Sequence, residues 1–140
     1  MNKPVFVDTS AWFASIAKND QSHRQAIAEH HKLIKDKARF FTSNLVVHES
    51  TILLERKVNR REGVQFLTSI IEDPNVEIIH ATPEMEHEAY QLYEKYLDQD
   101  FSVADCVSFT IMKHFDIHRA FTFDDHFRTR GFEMVPHTNR

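Results

Sequence analysis

The sequence predicts an α/β domain, a mainly parallel sheet covered by helices, and three observations carry that expectation. Short apolar runs of strand length alternate with longer stretches of helical apolar spacing along the whole chain. Several strand runs stop at a carboxylate or a hydroxyl that opens the next helix, the place where open α/β sheets bind their ligands. With only 2 glycines and 4 prolines, no linker or low-complexity run divides the 140 residues, so a single domain over 1–140 is expected.

The first strand is the run Pro4-Val5-Phe6-Val7, which ends at Asp8-Thr9-Ser10. Asp8 then sits at the carboxyl end of a strand, although Asp8, Thr9 or Ser10 also suits the cap of a helix from Ala11 to Ala17. Asn19-Asp20 ends that helix, and Ser22 caps the next, which runs to about Lys35 with Ala26, Ile27, Leu33 and Ile34 as its stripe. Arg39 to Thr42 is a short strand. Ser43 or Asn44 caps a helix from Leu45 to about Val58, in which Glu49 falls among Val46, Val47, Ile52 and Leu53. A carboxylate in such company should be paired or bound.

Residues 55–62 form the strongest basic cluster, with Arg56, Lys57, Arg60 and Arg61; cations there suit a solvated helix end or RNA phosphate. Val64, Leu67 and Ile71, flanked by Phe66 and Ile70, make an amphipathic helix that Asp73-Pro74 stops. Val76 to Ile79 is a strand. Thr82-Pro83-Glu84 opens a helix whose Met85, Ala89, Leu92 and Tyr96 share one face, ending near Leu97. After a turn at 98–101, Ser102 and Asp105 open a helix in capping-box fashion, with Val103, Val107, Ile111 and His114 as its buried stripe and Cys106 as a core residue. Arg119 to Phe123 is a strand stopping at Asp124-Asp125. A short turn or helix from His126 to Arg130 ends at Gly131, and Phe132 to Val135 is a last edge strand.

Composition closes off several chemistries. Two glycines cannot build either glycine-rich phosphate loop, and the 10 histidines form no H-E-x-x-H zinc motif. One cysteine precludes an intramolecular disulfide, and no long apolar segment or leader pattern is evident, so a cytoplasmic protein without membrane association is expected. The net charge of −4 means that a nucleic acid would have to be met by a local patch. The 12 phenylalanines raise the expectation of apolar surface kept for a partner.

Four acids occupy comparable places: Asp8 and Asp124 after strands, Asp105 in a first helical turn, and Glu49 within an apolar helix. Brought to one end of a parallel sheet, they would repel one another or demand a cation, and hard oxygen ligands in that number suit Mg²⁺ or Mn²⁺. The chain resembles the PIN-domain family, and within it the VapC-type toxins of bacterial toxin–antitoxin pairs. That resemblance rests on 7–10 (Val-Asp-Thr-Ser), 46–49 (Val-Val-His-Glu), 101–108 (Phe-Ser-Val-Ala-Asp-Cys-Val-Ser) and 121–127 (Phe-Thr-Phe-Asp-Asp-His-Phe).

The resemblance implies a three-layer PIN-like fold and a metal-dependent endoribonuclease. It also implies an RNA substrate, a cognate antitoxin and a homodimer. It makes Asp8 and Asp105 the principal metal ligands, with Glu49 and Asp124 completing the catalytic acids, and Thr9, Ser10 and Thr122 orienting carboxylates or water. Asp98, Asp100 and Asp125 flank these acids, and Asp100 or Asp125 is an alternative fourth member. Two other functions compete: a non-catalytic PIN-like interaction module, and an aspartyl phosphatase using Asp8. The phosphatase would carry a second acid two residues on, where this chain has Ser10.

Overall fold

The computed structural model describes residues 3–137. Its sheet has five strands, β1 (Pro4–Val7), β2 (Arg39–Ser43), β3 (Val76–Ile79), β4 (Arg119–Phe121) and β5 (Glu133–Val135), in the spatial order β3-β2-β1-β4-β5. Every pairing is parallel, including Val7 beside Phe121. The helices are α1 (Thr9–Ile16), α2 (His23–Lys35), α3 (Asn44–Lys57), α4 (Arg60–Glu72), α5 (Pro83–Lys95), α6 (Val103–His114) and the short α7 (His126–Thr129).

Strand order fixes the layers. From β1 the chain steps outward to β2 and then β3, so right-handed crossovers lay α1 to α4 on one face. The return from β3 to β4 runs the opposite way and lays α5 and α6 on the other face. Connections therefore leave β1 and β4 in opposite senses, and the crevice where ligands of doubly wound sheets bind opens between their carboxyl ends. Asp8 follows β1 there, and Asp124 follows β4.

Local sequence explains most of the boundaries. The Ser43 hydroxyl accepts the Val46 N–H at 3.1 Å, the Asn59 side chain accepts from Glu62 at 2.9 Å, and Thr82 accepts from Met85 at 3.1 Å. Ser102 and Asp105 form the complete reciprocal capping box. Gly131 ends α7 at φ +89°, as only glycine does without strain. Gly63 has a different role: a Cβ there would stand 3.3 Å from the Thr51 carbonyl, so its bareness lets α4 lie close on α3.

Several expectations are corrected. Ser22 does not cap α2; its N–H instead donates to Asp20 Oδ2 at 3.0 Å. On α4 the buried stripe is Gly63, Phe66 and Ile70, whereas Val64 and Ile71 face solvent. The α6 helix is buried nearly all round from Cys106 to Met112, and the expected stripe members Val103 and His114 are exposed. The phenylalanines build core rather than docking surface: seven are buried, four are partly buried, and only Phe115 is exposed. Phe109 stands at their centre, with Phe101, Phe127 and Phe132 around it at ring distances of 5.2, 5.1 and 5.9 Å. Cys106 is a buried core residue whose thiol burial pushes up, which leaves it a poor nucleophile. Among the described residues, no helix is long and apolar enough to cross a membrane.

Candidate metal centre

The strand-end position of Asp8 left cap and site equally open, and the geometry separates them. Asp8 occupies the N-cap position of α1, yet its carboxylate makes no capping hydrogen bond with the turn above it. Its backbone carbonyl accepts the Ala11 and Trp12 N–H groups, and its own N–H ties to the Phe121 carbonyl of β4 at 3.0 Å. The carboxylate points instead into a net of hydroxyls. Thr122 Oγ1, almost wholly buried, spends its one proton on Asp8 Oδ2 at 3.0 Å and accepts the Asp124 N–H at 3.0 Å. Ser10 Oγ accepts the Phe123 N–H at 2.9 Å and lies 3.1 Å from Thr122 Oγ1. These hydroxyls thus lock the loop after β4 onto the start of α1 and hold Asp8 and the Asp124 backbone in one hydrogen-bonded unit.

Asp105 arrives from α6. Its Oδ2 accepts the Ser102 N–H at 3.0 Å and lies 3.0 Å from His126 Nδ1, which leaves Oδ1 for another ligand. The capping box and the site are thus the same residue used twice. Asp124 Oδ1 accepts the His126 N–H at 2.9 Å and lies 3.2 Å from the same Nδ1. Asp105, Asp124 and His126 each present an atom within 4.8 Å of the other two, the spacing of a metal-binding group.

Electrostatics agree with the geometry. Burial first, then the negative charges of Asp105 and Asp124, push the Asp8 carboxyl up to about 7, against the lowering effect of the Thr9 backbone N–H and the Thr122 hydroxyl. Among the described residues no lysine or arginine forms an ion pair with Asp8, Glu49, Asp105 or Asp124. Asp105 and Asp124, with Asp8 close enough to feel both charges and no lysine or arginine ion-paired to them among the described residues, offer the carboxylate oxygens that a hard divalent ion fits, and His126 Nδ1 lies beside two of them.

The remaining expected residues divide. Glu49 is exposed on α3, not enclosed by apolar side chains as expected, because Ile52 beside it also faces solvent. It still reaches the site's margin: Thr9 Oγ1 donates to Glu49 Oε1 at 2.6 Å, one residue from Asp8. Asp125 is exposed and paired with Arg128 at 2.8 Å, and Asp100 is exposed in the segment before α6. Arg56, Lys57, Arg60 and Arg61 are exposed around the α3–α4 turn, with Arg60 3.4 Å from Glu55. His126 was not singled out from the sequence; the one signal for it was its place two residues after Asp124 in the strand-end run.

A parallel three-layer domain with its acids gathered at the β1/β4 crevice defines a class, and the chain belongs to the PIN domain family, whose model matches residues 5–133. Among its relatives is the 23S rRNA-specific endonuclease VapC20 of Mycobacterium tuberculosis, 31% identical over 132 residues that span 94% of this chain and 97% of that protein. The crystal structure of VapC20, described as a sarcin–ricin loop cleaving toxin, superposes with a TM-score of 0.82 at 30% identity, covering 91% of this chain and 95% of that one. Two more distant structures share the fold alone. VapBC2 from Rickettsia felis, bound to a promoter DNA fragment, has a TM-score of 0.70 at 11% identity and covers 94% and 96% of the two chains. FitAcB from Neisseria gonorrhoeae has a TM-score of 0.67 at 15% identity and covers 93% and 95%.

Proposed function

We propose that this chain is a metal-dependent endoribonuclease and the toxin of a type II toxin–antitoxin pair, with Asp8, Asp105 and Asp124 as its centre. The observation that carries the reading is the metal-spaced group of Asp105, Asp124 and His126 beside buried Asp8, whose carboxyl feels the charges of Asp105 and Asp124, with no lysine or arginine ion-paired to these acids among the described residues. Asp8 and Asp105, with Asp124 beside them, would hold Mg²⁺ or Mn²⁺. The ion, when bound, lowers the pKa of a coordinated water and offsets the charge that grows on the scissile phosphate.

The protein's own groups do the rest. Thr122 and Ser10 hold Asp8 and the Asp124 loop in register, so the ligands need no reorganisation on binding. Thr9 holds Glu49 by Oε1, which leaves Oε2 to take a proton from the attacking water; Asp124 is the second acceptor within the cluster. As the water oxygen bonds to phosphorus, the bond to the leaving nucleotide oxygen breaks and that oxygen is protonated in turn. The exposed cations Arg56, Lys57, Arg60 and Arg61 would follow the RNA backbone outside the crevice.

For the substrate class we favour 23S ribosomal RNA, since the relative at 31% identity over nearly the whole chain carries that name. A small antitoxin, a homodimer and a cytoplasmic site of action complete the proposal, in keeping with the toxin–antitoxin complexes that share the fold. The phosphatase reading falls behind because the position two after Asp8 holds a hydroxyl engaged with Phe123 and Thr122. Incubation of the purified protein with 23S rRNA and Mg²⁺ or Mn²⁺ tests the proposal. Cuts that disappear with EDTA and with Asp8→Asn are expected; no EDTA-sensitive cleavage of ribosomal or other RNA would overturn it.

A further inference from the structure

We infer that His126 is itself a ligand of the bound ion, so that the centre combines carboxylate oxygens with one imidazole nitrogen and prefers Mn²⁺ to Mg²⁺. The inference rests on the reading that Asp105 and Asp124 face the metal, and it adds a residue and a selectivity to it.

The spacing is the first argument. His126 Nδ1 stands 3.0 Å from Asp105 Oδ2 and 3.2 Å from Asp124 Oδ1. Neighbouring ligands of an octahedral ion with bonds of about 2.1 Å lie roughly 3.0 Å apart, so both distances to Nδ1 match octahedral edges, and the ligand atoms of the three residues lie within 4.8 Å of one another. Without metal, a proton on Nδ1 can be shared between the two carboxylates; when a divalent ion takes that place, the neutral ring carries its proton on Nε2 instead.

The ring's support is the second argument. Phe101 packs edge-on to the imidazole with ring centres 5.3 Å apart and planes at 83°, and the His126 backbone N–H is tied to Asp124 Oδ1 at 2.9 Å. The ring is therefore set from two sides, by a buried core residue and by its own turn, rather than swinging in solvent. A nitrogen donor adds little for Mg²⁺, whose ligands are oxygens, and more for first-row transition ions, of which Mn²⁺ also accepts carboxylates.

Mn²⁺ binding followed by electron spin-echo spectroscopy tests this directly. The wild-type protein loaded with Mn²⁺ should show the modulation of a directly bound ¹⁴N nucleus, which changes to the ¹⁵N pattern when histidine alone is ¹⁵N-labelled. His126→Gln should abolish it, weakening Mn²⁺ binding by about tenfold or more while Mg²⁺ binding moves far less. Mn²⁺ bound in an Asp105-dependent way without nitrogen modulation would overturn the inference and leave the nuclease reading standing. Modulation that persists in His126→Gln would assign the nitrogen to another histidine and overturn it too. No Mn²⁺ binding at all, or binding unaffected by Asp105→Asn, would defeat both. Absence of the ¹⁴N-to-¹⁵N change in the wild-type chain overturns the inference whether or not the variant folds.

Discussion

Replacing Asp8 by asparagine should stabilise the metal-free protein while disabling it. The carboxyl is pushed from its ordinary 3.8 up to about 7, so holding it ionised in the folded state carries a penalty. A shift of roughly 3 units at 1.36 kcal/mol each sets a ceiling of about 4 kcal/mol. Because the folded value lies above the unfolded one, the unfolded chain gives up this proton first. The Asp8 contribution to stability is complete below about pH 4, falls as pH rises, and the penalty is fully expressed above about 7.

Asparagine carries no charge and still offers an oxygen to the Thr122 hydroxyl. Its amide N–H₂ needs new partners, so a gain of about 2 kcal/mol is the reasonable share of the ceiling. For a chain of this size that raises Tm by roughly 4–8 °C. The assay is thermal unfolding by circular dichroism in EDTA, wild type against variant, at pH 4, 6 and 8. The gain should be near zero at pH 4 and grow with pH, while added Mn²⁺ stabilises the wild type alone. A variant no more stable than wild type at pH 8, or a difference that ignores pH, would refute the reasoning.

Thr122→Val removes the donor to Asp8 and the acceptor of the Asp124 N–H, leaving two groups short of partners inside the protein. Urea unfolding should show a loss of about 1–3 kcal/mol, and the pH–rate profile for RNA cleavage should move to higher pH as Asp8 loses a bond that lowers its pKa. Ser102→Ala, which breaks the α6 cap but leaves the acids, should lose about 1 kcal/mol by the same measurement. Asp105→Asn should instead keep most of the stability and lose metal binding in calorimetry. Charge reversal at Arg56 and Arg61 should weaken RNA binding and flatten its salt dependence by about 0.7 per lost phosphate contact in a filter-binding series, with Mn²⁺ affinity unchanged.

The alternation of strands and helices was legible because each element carries its own local signal. The Thr82-Pro83 start of α5 and the Ser102/Asp105 box are examples, and both hold in the structure. Faces were less legible. Val64 and Ile71 have the right spacing for a core stripe, but the close α3–α4 approach that Gly63 permits turns Phe66 and Ile70 inward instead. The apolar sequence neighbours of Glu49 predict an enclosed carboxylate, but Ile52 faces outward. Asp8 and Asp124 could be placed at strand ends from sequence, whereas their contact depends on β1 and β4 being neighbours, which no local pattern encodes. His126 escaped notice for the same reason: its closeness to Asp105 joins residues 21 apart through the packing of α6 beside the loop after β4.

Calorimetric titration of Mn²⁺ into the wild type and into Asp8→Asn, Asp105→Asn, Asp124→Asn, Asp100→Asn and Asp125→Asn addresses the centre itself. Binding by the wild type, weakened at least tenfold by each of the first three changes and left intact by the last two, is the expected result. A wild-type chain that takes up no divalent ion, or one whose affinity is indifferent to Asp8, Asp105 and Asp124, would contradict the account.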